Sequence, residues 1–171
     1  MRLPGRRAAN ALGTLGCLGL LGFAWYAQGV LALDPCPLCI FQRIGIAVTG
    51  ALFLLATLHD PRGWGARVYG LLIALAALAT LAVAVRHVWI QHQPAGSVPS
   101  CGATLDYMLE VFPLAHVIRK VLTGSGECAA VTWRFLGLSM PAWVAVASSG
   151  LLALAAWANF LQPRSRRSMS R

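Results

Sequence analysis

The sequence predicts an all-α membrane protein, a four-transmembrane-helix bundle with a short amphipathic helix in its second outer loop. Of the 171 residues, 58% are hydrophobic and only 11% charged, and the mean hydropathy is +0.68. This is too apolar for an ordinary soluble core. Four runs also reach the roughly 20 apolar residues that a helix needs to cross a bilayer. The net charge of +9 comes from arginines in the tails and connections, so it indicates membrane orientation and argues against nucleic-acid binding.

The predicted spans are residues 11–33, 39–58, 68–85 and 142–161. The first carries no charge, and its length of about 23 residues exceeds the roughly 7–15-residue apolar core of a cleaved signal peptide, so we expect it to be retained. The second contains Arg43 as its one charged residue. Arg86 and His87 follow the third, and Ser139 with Pro141 gives the fourth a typical helix start.

Arginine and lysine are divided unevenly between the two sides of the predicted bundle. Nine lie on the side that carries both termini. Only five lie on the other side, although that side has a much longer loop than the first. Because cytoplasmic connections collect positive residues, both termini are predicted to be cytoplasmic. Residues 34–38 and 86–141 then form outer loops, and residues 1–10 and 162–171 form cytoplasmic tails.

Four of the five cysteines fall on the predicted outer side. Cys36 and Cys39 share the short loop region, and Cys101 and Cys128 share the long one. Disulfides form and persist in the extracytoplasmic compartment of bacteria, so this grouping favours thiol–disulfide chemistry. Cys17 lies inside the first span, and we interpret it as a small packing residue.

The segment Asp34-Pro35-Cys36-Pro37 predicts a helix N-terminus, where proline is tolerated in the first turn. Unpaired N–H groups and the positive end of the helix dipole favour a thiolate there. Cys36, Cys39 and Arg43 stand at i, i+3 and i+7, which places them on one helix face. An arginine in mid-membrane costs roughly 3 kcal/mol on insertion scales. We therefore expect Arg43 to hold the Cys39 thiolate, with snorkelling to the interface as the alternative.

Other readings of the cysteines are open. The Cys36–Cys39 segment also fits a static structural disulfide. A haem attachment site is disfavoured because Ile40, not histidine, follows Cys39. A four-cysteine zinc site is disfavoured because Cys101 and Cys128 lack paired ligand spacing, so no resident metal is expected.

The long outer loop contains the predicted amphipathic helix, which follows Pro113. Its charged and polar face would consist of His116, Arg119 and Lys120, and its apolar face of Leu114, Val117, Ile118, Val121 and Leu122. Such a helix is expected to lie on the membrane surface. A further apolar stripe precedes it, formed by Leu105, Met108, Leu109 and Phe112. The sequences just before Cys101 and Cys128 predict flexible backbone, which would allow both cysteines to move during a reaction. The alternative is a static surface loop held by a disulfide.

Residues 35–43, 125–128 and 135–143 read PCPLCIFQR, SGEC and FLGLSMPAW. With four spans and two cysteines in each outer loop, the chain resembles the bacterial disulfide bond formation protein B (DsbB) family over essentially its whole length. The resemblance implies a multi-pass thiol:quinone oxidoreductase of the bacterial inner membrane. Such a protein re-oxidises a periplasmic thioredoxin-fold disulfide donor (DsbA-like) and passes electrons to ubiquinone or menaquinone, supporting disulfide formation in exported proteins.

The resemblance also implies a role for each cysteine of the outer loops. The reduced donor would attack a Cys101–Cys128 disulfide and form a mixed disulfide with Cys101. Cys128 would then attack Cys36 and release Cys39 as a thiolate that reacts with the quinone near Arg43.

The resemblance further implies that His87 lines the quinone pocket beside Arg43, which would polarise a quinone carbonyl. His92 lies nearby as an alternative. Two other classes remain open: a vitamin K epoxide reductase-like enzyme working in the opposite direction, and a non-enzymatic membrane assembly protein with structural disulfides. The first is disfavoured because its Cys-x-x-Cys pair comes late in the chain.

Overall fold

Four long helices account for most of the fold in the computed structural model, which describes residues 5–94, 110–113, 115, 117–119 and 126–161. All four are long and apolar enough to cross a membrane, which confirms the predicted four-helix membrane bundle. They are α1 (Arg6–Gly29), α2 (Pro37–His59), α3 (Trp64–Gln91) and, after a short α4 (Gly126–Ala129), α5 (Met140–Ala156). A π-helical segment, Trp157–Leu161, continues α5.

The helix bounds differ most from the predicted spans in α1 and α3. Helix α1 starts at Arg6 and already ends at Gly29, before the predicted limit of residue 33. Helix α3 continues past residue 85 to Gln91, because His87 and Ile90 are buried against the bundle instead of lying in a loop. The third helix therefore carries His87 on a rigid element.

A two-stranded antiparallel hairpin, which the all-α prediction missed, leads into α5. Strand β1 (Arg134–Phe135) pairs with β2 (Leu138–Ser139). Leu136 and Gly137 at its tip both have positive φ, 50° and 81°, as tight hairpin turns require. Strands of two residues are too short to produce a readable alternation of apolar and polar positions, so the sequence offered no strand signal.

Glycines allow α1 and α2 to approach closely. A Cβ atom at Gly13 would lie 2.7 Å from the Phe53 ring, and one at Gly50 would lie 2.8 Å from the Cβ of Cys17. Cys17 is buried in the apolar core together with Phe53, as the packing interpretation predicted. Small residues at such contacts are typical of helices that associate in lipid, where van der Waals packing replaces the hydrophobic effect.

A second apolar cluster lies at the end of the bundle that carries Cys36 and Cys128, called here the cysteine end. It consists of Leu38, Ile90, Val117 and Cys128, all buried. Val117 belongs to the predicted amphipathic helix, of which residues 115 and 117–119 are described as helical, with Arg119 exposed. This helix therefore packs at least one apolar side chain against the protein itself. The remaining positions of its predicted faces, except Ile118, lie outside the described residues.

At the opposite end, a pair of buried asparagines joins the first and last spans. Asn10 Nδ2 donates to Asn159 Oδ1 at 3.4 Å, and Asn159 Nδ2 donates to Asn10 Oδ1 at 3.2 Å and to the Ala155 carbonyl at 3.1 Å. Gly70 of α3 faces this pair, and a Cβ there would lie 2.7 Å from the Cβ of Asn159. The amides satisfy each other in a place where water does not compete.

Replacing either asparagine should destabilise the bundle. We expect Asn10→Ala or Asn159→Ala to lower the free energy of unfolding by about 0.6–1.7 kcal/mol, between the average and the maximum measured for interhelical hydrogen bonds in membranes. The double variant should lose less than the sum of the two, because each single change already removes the shared bonds. Unfolding in mixed micelles of a mild detergent and dodecyl sulfate measures these differences.

Ser149→Ala is the matched control, because within the described part of the chain the exposed Ser149 hydroxyl donates only to the Ala145 carbonyl of its own helix. It should leave stability nearly unchanged. Fully additive losses in the double variant would show that the two amides do not act as a pair.

Candidate dithiol site and adjoining cavity

The start of α2 brings Cys36 and Cys39 side by side. Cys36 is the N-cap residue with extended backbone (φ −67°, ψ 164°), and Pro37 occupies the first helical position, as the sequence predicted. The two thiol sulfurs are 3.2 Å apart, and both side chains are half-buried. A disulfide requires about 2.0 Å, so the pair can close with a displacement of roughly 1 Å. This geometry suits reversible oxidation.

His87 lies beside this pair and is almost fully buried, with 2% of its surface exposed. Its Nδ1 is 3.1 Å from Nε2 of Gln42, and its Nε2 is 3.1 Å from the carbonyl oxygen of Cys128 and 3.7 Å from Cys36 Sγ. A carbonyl oxygen only accepts, so in this arrangement Nε2 carries the proton and Gln42 donates to Nδ1. The imidazole thereby links α2, α3 and α4.

Cys128 meets Cys36 at the same place. The sulfurs of Cys36 and Cys128 and one ring nitrogen of His87 all lie within 4.8 Å of one another, and Nε2 is the nitrogen beside Cys36. Cys128 is buried and its Sγ comes from α4, far along the chain from α2. The structure thus gathers three of the four predicted outer cysteines and His87. Cys101 lies outside the described residues.

Arg43 occupies the same face of α2 as Cys36 and Cys39, and all three line one cavity. Its guanidinium reaches across to α1, where Nη1 donates to Oε1 of Gln28 at 2.6 Å and Nη2 donates to the Ala24 carbonyl at 3.0 Å. The side chain is therefore fixed between two helices of the bundle, which differs from a side chain that only snorkels along its own helix.

The cavity next to the dithiol has a volume of about 320 Å³, within the range of about 300–1,000 Å³ usual for small-molecule sites. Its wall is largely apolar, while the thiols, Arg43, Gln42 and His87 supply polar groups. The apolar part of the wall includes Leu20, Leu21, Ile46, Pro141 and Val144. Such a space suits a flat apolar molecule that carries a few hydrogen-bond acceptors.

Aromatic rings from α1, the hairpin and α5 border the cavity. The ring of Trp133 lies 5.7 Å from that of Phe23 and 6.0 Å from that of Phe135, in a stacked arrangement in the second case. Trp143 lies 6.1 Å from Phe135, and its Nε1 donates to the Phe135 carbonyl at 3.0 Å. The hairpin is thus attached to α5 on one side and to α1 on the other.

The two candidate histidines have different positions. His92 is exposed, its Nδ1 bonds to the Val88 carbonyl of its own helix at 2.8 Å, and it is not among the cavity residues, whereas His87 is. Gln28 and Gln42 are contacts that the sequence analysis did not assign. Their polarity near or within apolar spans was the available signal, because amides there need partners from other helices.

Comparison with known proteins identifies the family to which this chain belongs. Residues 6–158 match the family model described as disulfide bond formation protein DsbB. The chain is 55% identical over 131 residues to disulfide bond formation protein B of Marinobacter nauticus, covering 77% of this chain and 78% of the relative. It is 50% identical over 157 residues to the protein of the same name from Xanthomonas campestris pv. campestris, covering 91% of each. The chain therefore belongs to the disulfide bond formation protein DsbB family of four-helix membrane proteins.

Proposed function

We propose that this protein is a thiol:quinone oxidoreductase of the bacterial inner membrane. It re-oxidises a periplasmic thioredoxin-fold disulfide donor (DsbA-like) and passes the electrons to ubiquinone or menaquinone, so that exported proteins acquire disulfides. The observation that carries the proposal is the Cys36–Cys39 dithiol opening into an apolar cavity, with Arg43 on the same wall.

The cavity residues fit a quinone. The apolar wall suits the ring and the first part of its lipid tail, and Arg43 offers five N–H donors, of which two bind α1. A third is available for a ring carbonyl oxygen. A bound quinone supplies the capacity to accept two electrons and two protons. Arg43 orients it, Cys39 faces it, and the apolar wall excludes water from the thiolate.

The thiol exchange begins at the second cysteine pair. The reduced donor attacks the Cys101–Cys128 disulfide, forms a mixed disulfide with Cys101 and leaves Cys128 as a thiolate. Cys128 then attacks Cys36 of the Cys36–Cys39 disulfide and releases Cys39 as a thiolate. The sulfurs of Cys36 and Cys128 lie within 4.8 Å of each other, and this closeness supports the exchange.

The electron balance closes over one cycle. The donor dithiol loses two electrons and two protons and becomes a disulfide, and the quinone gains the same number and becomes a quinol. The donor's second thiol displaces Cys101 from the mixed disulfide, and Cys101 then attacks Cys128 and releases Cys36. The Cys36–Cys39 disulfide re-forms as the quinone is reduced to quinol, so both disulfides of this chain return to the oxidised form. His87 positions the exchange, because its Nε2–H donates to the Cys128 carbonyl and stands beside Cys36 Sγ.

The purified protein should reduce a soluble short-chain quinone when a reduced thioredoxin-fold dithiol donor is added. Cys39→Ala should abolish this turnover, measured as loss of quinone absorbance, because the thiolate that faces the cavity is gone. Cys17→Ala is the control and should turn over normally, since Cys17 is buried between α1 and α2 away from the cavity.

Mass-tagged alkylation separates the proposal from the alternative of a non-enzymatic assembly protein. Quinone depletion should make thiols or a mixed disulfide through Cys101 accumulate. Disulfides that stay closed with and without quinone would be structural and would contradict the proposal.

Arg43→Ala should raise the KM for quinone by about 10–100-fold, the equivalent of losing a charge-assisted hydrogen bond worth about 1.5–3 kcal/mol. The Cys36–Cys39 disulfide should still form. Arg67→Ala removes the same charge from an exposed position of α3 and should leave KM unchanged. An unaltered KM in Arg43→Ala would leave Arg43 with a role in helix attachment alone.

We propose that both termini are cytoplasmic and that the cysteine end faces the periplasm. Arg62 and Arg119 are both exposed, and they lie in connections at opposite ends of the bundle. In a cysteine-free background, Arg119→Cys should react with an impermeant maleimide on intact cells, and Arg62→Cys only after the membrane is opened. The reverse pattern would place the dithiol on the reducing side and remove the oxidising route.

A further inference from the structure

We propose that the reduced site binds one thiophilic metal ion, such as Zn²⁺, through Cys36 Sγ, Cys128 Sγ and His87 Nε2. The bound ion then arrests thiol exchange. The arrest rests on the proposed function, whereas the binding itself requires only the cluster geometry. The ion is a regulator of the reduced state and takes no part in the reaction.

The spacing of the ligand atoms fits tetrahedral coordination. Zinc–sulfur bonds of about 2.3 Å and zinc–nitrogen bonds of about 2.0–2.1 Å at a tetrahedral angle place sulfur and nitrogen roughly 3.6 Å apart. Cys36 Sγ and His87 Nε2 are 3.7 Å apart, and Cys128 Sγ lies within 4.8 Å of Cys36 Sγ and of one ring nitrogen of His87. Three elements of the fold supply these atoms, so the arrangement is held by the packing of the cysteine end and needs only a small contraction around an ion.

The type of donor determines which ions fit. Two sulfurs and one imidazole form a soft set that selects Zn²⁺, Cd²⁺ or Cu⁺ over Mg²⁺ and Ca²⁺, and the group contains no carboxylate. This set differs from the four-cysteine site that the sequence disfavoured, because a histidine of α3 supplies the third ligand. That ligand could not be recognised from cysteine spacing.

Gln42 supplies the supporting contact that metal-binding histidines require. Its buried amide lies 3.1 Å from His87 Nδ1, the ring nitrogen that points away from the cluster. On binding, the ion replaces the Nε2 proton, the imidazole carries its proton on Nδ1, and the Gln42 amide rotates so that its oxygen accepts from Nδ1. Such contacts fix the ring orientation of ligating histidines.

Metal binding and disulfide formation exclude each other at this site. Two thiols and one imidazole nitrogen become ligands of one divalent ion, two sulfur protons leave, and no electron is transferred. A disulfide through Cys36 or Cys128 removes a thiolate ligand, so only the reduced chain offers the complete set. A bound ion therefore withholds both sulfurs from the exchange that would re-oxidise them. Cys36 and His87 also line the cavity, which gives an ion a path to the site.

Cobalt(II) is the probe, because thiolate ligation and tetrahedral geometry both give it distinctive absorption bands. Titration of the anaerobic, reduced, full-length protein in detergent should yield one Co²⁺ per chain with sulfur–cobalt charge-transfer bands, and Zn²⁺ should abolish them. The oxidised protein should give none. Zn²⁺ should also slow thiol exchange from the reduced state.

The variants distinguish this site from binding by neighbouring thiols alone. His87→Ala should weaken Co²⁺ binding more than about tenfold, whereas His92→Ala, which changes an exposed histidine of the same helix region, should bind normally. Cys36→Ser should also lose binding, and serine is a good N-cap, so α2 should still form. Cys39→Ser should retain binding although it cannot turn over.

Equal Co²⁺ affinity in His87→Ala, or loss of binding in Cys39→Ser together with retention in a Cys128→Ser variant, would assign the ion to the Cys36–Cys39 pair and overturn the proposal. Helical circular dichroism confirms that each variant is folded. Co²⁺ binding without quinone turnover would leave this site standing and remove the electron path. Turnover without Co²⁺ binding would do the opposite.

Discussion

Three separate parts of the chain meet at the imidazole of His87. The ring is buried, and it contacts the Gln42 amide, the Cys128 carbonyl and the Cys36 sulfur. A buried polar ring without partners costs on the order of 1–3 kcal/mol, so these contacts stabilise the arrangement that satisfies them all. The start of α2, the end of α3 and α4 are thereby held together, and with them the sulfurs. One histidine with partners on two other elements therefore holds the Cys36–Cys39 dithiol beside Cys128.

Helices α1 and α2 pack differently in the core and at the cysteine end. In the core, Gly13 and Gly50 let the two helices approach until the glycine positions touch Phe53 and Cys17. Towards the cysteine end the same two helices enclose part of a cavity, bridged by Arg43 through its bonds to α1. Tight packing in one region allows the other to remain open without losing the fold, because lipid-embedded helices associate chiefly through close contact.

The four helices were predictable because spanning length and hydropathy leave few alternatives for a chain this apolar. The face shared by Cys36, Cys39 and Arg43 followed from helical periodicity alone. The end of α3 was not predictable, since Arg86 and His87 look like a helix stop. In the structure the Arg86 guanidinium lies 4.3 Å above the Trp89 ring and His87 turns inward, so the helix continues.

The contacts that complete the site depend on residues far apart in sequence. His87 pairs with Gln42 across 45 positions, and with the Cys128 carbonyl across 41. No periodicity connects such residues, and only the packing of the helices brings them together. The aromatic border of the cavity has the same origin, because Phe135 reaches it from a hairpin too short to leave a sequence pattern, and Trp133 reaches it from the segment just before that hairpin.

The hairpin has a consequence for how far Cys128 can travel. Trp143 bonds to the carbonyl of Phe135, so the hairpin stays attached to the start of α5. A chain extends at most about 3.3–3.6 Å per residue. The stretch from Cys128 to Arg134 therefore spans about 20 Å when it is fully extended. Cys128 therefore stays within about 20 Å of a hairpin that borders the dithiol cavity, so a bound partner can displace its sulfur from the hairpin over that distance at most.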